Sequence, residues 1–231
     1  LDKQAQPSPF VRRACAQALG SFSRDAKVAG ALRKRWDEGD PSYRVEAAVL
    51  ASLTRVQPQT LAMLKQVLTR DSHREVLRLE ALGAIRKLKE AAAIDVLLEW
   101  TRADRPRRCR QVAITGIADR VTRFETDKKI TRKVVTRLTQ LLKAPGPRIR
   151  ASAVTALRQL AGSARSASDA VASLAEHDPE GRVRVAAKSA LEALQKEPTA
   201  SAELDRLRTE LESLRKRNRN LAERLEKLEA K

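Results

Sequence analysis

Two histidines, two cysteines and a recurring arginine are the residues of this chain whose type and spacing bear on chemistry. His73 and His177 are isolated, with no carboxylate or cysteine at metal-ligand spacing, so each reads as a surface or turn residue and no metal site is expected. Two cysteines cannot build a disulfide framework. Neither has a suitably spaced His to activate it, so both read as core filler, Cys15 in a small buried slot and Cys109 opening a helix. Gly20, Gly83 and Gly116 belong to no phosphate-binding loop, and there is no Gly-x-Ser-x-Gly elbow and no His-Glu-x-x-His helix. The segment therefore offers no catalytic apparatus and implies no cofactor.

The arginines recur in register. Val11-Arg12, Tyr43-Arg44, Leu77-Arg78, Cys109-Arg110, Ile149-Arg150 and Val183-Arg184 follow one another at spacings of 32, 34, 32, 40 and 34 residues. Four residues after each first position stands Cys15, Ala47, Ala81, Ala113, Ala153 or Ala187. Three further on come Ala18, Leu50, Ala84, Gly116, Ala156 and Ala190, each with a following neighbour that is apolar. Such offsets describe one face of a helix. Arg12, Arg44, Arg78, Arg110, Arg150 and Arg184 could line a surface and grip phosphates or carboxylates. Alternatively they form a structural ladder, each bonding a turn aspartate or carbonyl of a neighbouring unit. Asp40, Asp71, Asp104 and Asp178 lie a few residues upstream of four of them, and repetition in every unit favours the ladder.

Helices must position these residues. A second periodic stretch lies between the arginine helices, as in Leu61/Leu64/Val67/Leu68, Ile94/Leu97/Leu98, Ile130/Val134/Leu138/Leu141/Leu142 and, more weakly, Ala167/Ala170/Val171/Leu174. The breaks at Asp40-Pro41, Pro58, Pro106, Pro145-Gly146-Pro147 and Asp178-Pro179 carry turn chemistry. Two helices per ~33 residues make an all-α, right-handed α-solenoid in which each pair buries its apolar face only against its neighbours. Trp36 and Trp100 end first-helix segments, where a large ring fills the gap between units. The expected organisation is a solenoid over residues 1–195, a linker at 196–201 and a coiled-coil helix at 202–231.

The pattern Asp-Pro-x-x-Val-Arg-x-x-Ala-x-x-Ala-Leu, clearest from Asp178 to Leu191, resembles the HEAT-repeat family and the short bacterial HEAT-like repeats over roughly residues 9–195. The resemblance implies an armadillo-like superhelix whose Val-Arg helix stands second in each unit, on the inner concave side. The fourth unit departs from the pattern, with Cys109 for Val, Gly116 for Ala and a longer connection. By this phase residue 1 falls inside a unit. With Leu1-Asp2-Lys3-Gln4 as the opening, the chain reads as a fragment whose own N-terminus is missing.

After Pro198 the period changes. Leu204, Leu207, Leu211, Leu214, Asn218, Leu221, Leu225 and Leu228 follow gaps of 3 and 4, a seven-residue seam narrower than a globular face. Asn218 is its one polar layer, a residue that fixes register and favours two strands. In a parallel pair Glu203 meets Arg208, Glu210 meets Arg215 and Arg224 meets Glu229, and no like charges meet. The seam of about 37 Å is expected to join two copies, with capping of the solenoid end as the alternative. A leucine helix after HEAT-like units is also similar to the C-terminal region of bacterial aminopeptidase-N-like zinc metallopeptidases. That resemblance, of arrangement only, implies a parent that hydrolyses N-terminal residues from peptides and carries over no catalytic residue.

The formal net charge is +18; the tail from residue 201 holds nine basic and seven acidic side chains, so +16 precedes it. Clusters stand at Arg33-Lys34-Arg35, Arg105 to Arg110, Lys128-Lys129 with Arg132-Lys133, and Arg148 with Arg150. A basic solenoid can track a nucleic-acid backbone, but aromatics at 3% leave little for base stacking. No apolar stretch approaches the ~18 residues of a membrane span, and a soluble, cytoplasmic setting is expected. The reading is a non-catalytic scaffold for protein partners that forms a homodimer through its terminal helix; a basic nucleic-acid-binding solenoid is the alternative.

Overall fold

The computed structural model describes residues 4–22, 25–57, 59–124 and 127–195, and in the tail residues 211, 212, 214, 215 and 217–219. The chain divides into two compact units, Leu1–Leu194 and Gln195–Lys231. All regular structure among the described residues is helical. The fold is an all-α solenoid of stacked helix pairs.

Helix α1 (Pro9–Leu19) is followed by five pairs: α2 (Ala26–Glu38) with α3 (Tyr43–Val56), α4 (Leu61–Leu68) with α5 (Val76–Ile85), α6 (Ala92–Glu99) with α7 (Arg107–Phe124), α8 (Lys128–Leu141) with α9 (Pro147–Leu160), and α10 (Ser168–His177) with α11 (Gly181–Gln195). The first helices of three pairs start on side-chain caps: Asp25 accepts from the Lys27 and Val28 amides, Thr60 from Met63, and Asp127 from Lys129. Second helices start differently. Proline opens α9, and α5 is entered through a 3-10 turn in which Arg74 (φ 54°) and Glu75 (φ 64°) are left-handed. There the Ser72 hydroxyl accepts the Leu77 amide at 3.1 Å.

The second helices through α9, with α1 before them, form a continuous inner layer. Helix α1 packs on α3, α3 on α5, α5 on α7 and α7 on α9, while α2, α4, α6 and α8 each pack on the helix that follows. Helix α11 enters the same core through Ala187, Ala190 and Leu194. The small register residues lie at the closest approaches: Ala81, Ala113, Ala153, Ala187 and Ala190 are 0% exposed. A Cβ built on Gly116 would stand 3.3 Å from Arg86 Cβ, which explains the glycine in the fourth unit. The leucine-rich first-helix stretches face this layer, with Leu61, Leu64, Val67, Leu68, Val134, Leu138, Leu141 and Val171 all buried. Trp100 is buried at the end of α6, and Trp36 is half-buried near the end of α2.

One expectation fails in α1. Cys15 is exposed rather than set in a buried slot, and Val11 is 42% exposed. A middle helix such as α7 packs on α5, α6, α8 and α9, whereas α1 packs on α2 and α3. The side covered by a preceding helix elsewhere lies open there among the described residues. Cys109 is buried as expected.

In the tail, Leu211, Leu214 and Asn218 are helical and exposed, the two leucines at 49% each. Leu204, Leu207, Leu221, Leu225 and Leu228, with the linker at 196–201, lie outside the described residues.

Two glycines separate packing from propensity. Gly20, closing α1 in right-handed geometry, has Ser52 Oγ at 2.6 Å and Ser52 Cβ at 2.9 Å from the position of an added Cβ, whereas Gly83 inside α5 has nothing within 4 Å. Gly20→Ala is expected to destabilise by about 1–3 kcal/mol through overpacking. Gly83→Ala should stabilise by about 0.5–1 kcal/mol by lowering the entropy of the unfolded chain. Urea melts of the two variants, moving in opposite directions, check both.

Candidate interaction surface

Two of the repeated arginines share one wiring. Arg12 donates from Nε and Nη2 to both oxygens of Asp40 (2.9 and 3.0 Å), and its Nη1 holds the carbonyls of Gln6 and Pro7 (2.8 and 2.6 Å). Arg150 repeats this with Asp178 (2.6 and 2.9 Å) and the carbonyls of Ala144 and Pro145 (2.9 and 3.0 Å). Each aspartate lies 28 residues downstream, in the turn of the next unit. It also accepts an amide of its own turn, Ser42 for Asp40 and Glu180 for Asp178, both at 2.9 Å. One guanidinium thus ties the turn before its helix to the turn of the following unit. Bidentate, charge-assisted bonds of this kind are among the strongest a protein makes.

The other four vary on this scheme. Arg184 keeps the carbonyl half, donating to Asp178 and Pro179 at 2.6 and 3.3 Å. Arg78 turns back to Asp71 (2.5 Å), Glu75 (2.7 Å) and the Leu68 carbonyl (2.9 Å), so here an upstream aspartate does serve its own unit. Arg110 donates to the Thr101 carbonyl at 3.2 Å, and Asp104 pairs with Arg102 instead. Arg44 is exposed. The ladder rungs at Asp40 and Asp178 therefore run forward from the preceding unit's arginine, opposite to the direction their upstream positions suggested.

Both aspartates hold their protons below the ordinary carboxylate range. For Asp178 the Arg150 hydrogen bond is the main cause, against a smaller opposing effect of burial. For Asp40 burial is the largest influence and pushes upward, but the bonds from Arg12 and Ser42 and the charges of Arg12 and Arg35 outweigh it. Cys109 goes the other way: burial, reinforced by Glu75, pushes its thiol up to about 11. It stays protonated near neutral pH and is a poor nucleophile. His177 is exposed, its Nδ1 meeting the Ser173 carbonyl, and His73 is exposed in its 3-10 turn. Among the described residues no His, Cys, Asp and Glu group could hold a metal ion, and no helix is long and apolar enough to cross a membrane.

Other structural ions carried no sequence signal. Arg120, 2% exposed, reaches the carbonyls of Leu88, Lys89 and Glu90 in the loop between α5 and α6. Arg70 grips both oxygens of buried Glu46 (2.8 and 2.9 Å) and covers the Trp36 ring at 5.4 Å. Trp100 is flanked by Arg78 and Arg105 at 5.9 and 4.8 Å. The partners of Arg70 and Arg120 lie 24 to 34 residues away on uneven spacings, which leaves no repeat to read.

A different set of arginines is not spent on the fold. Arg108, Arg148 and Arg182 are the second residues of α7, α9 and α11, each immediately before the buried first position of its repeat, and all three are exposed. Arg108 and Arg148 belong to clusters visible in the sequence and Arg182 does not; their common register emerges only with the helix starts. Beside them Gln111 and Thr115 on α7 and Ala151, Ser152 and Thr155 on α9 line a cavity of ≈ 210 Å³ that also touches Arg148 and Arg182. A shallower hollow of ≈ 550 Å³, lined by Arg74, Glu75, Pro106, Arg107 and Arg108, adjoins α7 at its start.

Stacked pairs, an inner helical layer and arginine-bonded turns define a helical-repeat solenoid. Within it, residues 38–118 match the family model for HEAT repeats, and the chain carries HEAT-like repeats. Among solved structures, a designed armadillo repeat protein in complex with the peptide (KR)4 is similar at a TM-score of 0.55 and 19% identity, covering 79% of this chain and 91% of that one. A further engineered protein is similar at a TM-score of 0.51 and 16% identity, covering 82% and 92%. At these identities the likeness is one of fold. No curated protein matches the chain.

The forward rung has a pH signature. Unfolded, these carboxyls protonate near 3.8; folded, they do so only lower. Their contribution is therefore complete above the unfolded value and drains as pH falls through the folded one. Asp178→Ala, leaving Arg150 (11% exposed) without its acid, is expected to cost about 3 kcal/mol at neutral pH. Thermal melts should show that cost shrinking below pH ~4, first as the unfolded carboxyl takes up its proton and until the native rung does so lower down.

Proposed function

We propose that the chain is a non-catalytic interaction scaffold: the solenoid holds a protein partner on its inner layer, and the terminal helix pairs two copies in parallel. The observation that carries the first half is the division of labour among its arginines. Those of the ladder are largely consumed by turns and carbonyls, whereas the inner-layer groove beside Arg148 presents polar groups that no fold contact requires. The designed armadillo repeat protein of like fold, which is in complex with a peptide, supports a peptide-like partner for such a stack. Support for the second half comes from the seven-residue seam, whose described members Leu211 and Leu214 stand half-exposed on a helix with Asn218 in line. The similarity to the aminopeptidase-N-like C-terminal region finds no support in the comparisons. A nucleic-acid-binding solenoid is the second reading, favoured by the +16 charge ahead of the tail.

Sedimentation of the full chain across a concentration series tests the pairing. The expected result is a monomer–dimer equilibrium that Leu211→Lys with Leu214→Lys abolishes, and that Asn218→Leu strengthens while loosening the two-strand limit. A strictly monomeric chain at every concentration, unchanged by either substitution, rejects the homodimer. For the partner surface, an array of extended peptides spanning negative, neutral and positive charge should yield saturable binders. No saturable binding by any peptide rejects the scaffold reading.

A further inference from the structure

We infer that the groove at the start of the inner helices α7, α9 and α11 receives an extended acidic protein segment, with carboxylates at about every third residue. The inference rests on the scaffold reading and names the chemistry of its partner.

Helix stability does not account for Arg108, Arg148 and Arg182. Each occupies the first turn of its helix, the end that bears partial positive charge and favours acids. No acidic residue stands in the first turn of any of the three helices. The same unfavourable placement recurs in three successive units. Nor are these arginines consumed by ion pairs. Arg148 has none among the described residues, Arg108 donates to the Arg74 carbonyl at 3.3 Å, and Arg182 meets Glu180 at 3.1 Å with both side chains exposed. An exposed pair of that kind is worth little and exchanges readily. All three guanidinium groups are exposed, and Arg148 and Arg182 line the same cavity.

The hydroxyls between them have the complementary bias. Thr115 donates to carbonyls on its own helix at 3.1 Å, Thr155 to Ala151 at 2.9 Å and Ser152 to Arg148 at 2.9 Å. With its hydrogen committed, each oxygen offers the groove an acceptor. A ligand must therefore bring carboxylates for the arginines and N–H donors for the hydroxyls, which an acidic peptide does. A DNA backbone has acceptors alone, and none of the chain's aromatic side chains lines the groove to stack a base. Helices packed side by side stand ~8–10 Å apart, and an extended peptide advances ~3.3 Å per residue. Carboxylates three residues apart thus match Arg108 and Arg148 on the packed helices α7 and α9, and Arg182 lines the same cavity as Arg148.

Fluorescence anisotropy on the full chain at ~50 mM salt tests this. The probes are a labelled nine-residue peptide with Glu at every third position in a Gly/Ser background, the same peptide with Gln for Glu, and the same with Lys. The acidic peptide should bind, the others at least about tenfold more weakly. Arg108→Glu with Arg148→Glu should weaken it a further tenfold or more. Lys129→Glu with Arg132→Glu, exposed on outer helix α8 and making the same change in net charge, should leave it within about twofold. Circular dichroism and melting of both variants verify that they fold. Equal loss in both variants would overturn the groove, as would tighter binding of the Gln or Lys peptide, although such binding would keep the scaffold reading. Binding of single-stranded RNA or DNA that outcompetes the acidic peptide through the same two arginines would overturn the peptide in favour of a nucleic acid. No binding by any probe defeats this inference, and the scaffold reading falls only if the wider peptide array is also silent.

Discussion

Every unit of this solenoid depends on backbones coming close enough to bury two-helix pairs that have no core of their own. A pair of helices in isolation buries one face at most, so stability comes from the seam with the next pair. That seam is closed by alanine at Ala81, Ala113, Ala153 and Ala187, where a longer side chain would hold the inner helices apart. Once the backbones approach, the leucines of the first helices, such as Leu64, Leu97 and Leu138, reach across and fill the remaining space. The arginine rungs then act at the rim. Arg12 with Asp40 and Arg150 with Asp178 join turns that apolar packing leaves untied, and each aspartate is nearly wholly buried only because a guanidinium and a backbone amide meet it there.

The rungs also account for the tolerance of the repeat to irregularity. The fourth unit extends α7 to Phe124 and lengthens the spacing to the next repeat. Neither Arg78 nor Arg110 finds an aspartate in the following turn. Arg78 turns to its own side, and Arg120 supplies a different tie by bonding the carbonyls after α5. A guanidinium at those carbonyls gives partly buried loop acceptors a partner. Apolar stacking is therefore periodic, while polar fastening adapts locally to whichever charged residue reaches the gap.

That contrast explains what could be read from residues alone. The register of Val-Arg and small residues, and the leucine stretches between, predicted the helix pairs because both are local periodicities. The +4 position predicted burial in the middle units but not for Cys15, whose environment depends on whether a neighbour exists rather than on its own helix. Asp178 was recognisable as a turn residue, yet its partner Arg150 stands 28 positions earlier. Proximity in sequence pointed to Arg184, which takes the backbone carbonyl of Asp178 instead of its carboxylate. The pair Glu46 and Arg70 and the reach of Arg120 obey no period at all. For the groove, composition revealed that arginines cluster, whereas the helix starts were needed to align Arg108, Arg148 and Arg182.

Those three alignments set two demands on the same helix end against each other. In α7, α9 and α11 stacking is indifferent to the residue before the buried first position, since that residue is exposed. Folding therefore places no premium on arginine there, and the helix field opposes it by about 0.3–1 kcal/mol per helix. The nearby ladder arginines suffer no such opposition, because their charge is met by aspartates or turn carbonyls within the fold. A cost repeated in three units, met within the fold by no more than one long carbonyl bond at Arg108 and one exposed pair at Arg182, is the pattern expected where an external anion supplies the missing half of the interaction. The packing of α7 on α9 then fixes the spacing of the ligand's own charges, so selectivity comes from the stacking of the units and not from any single contact.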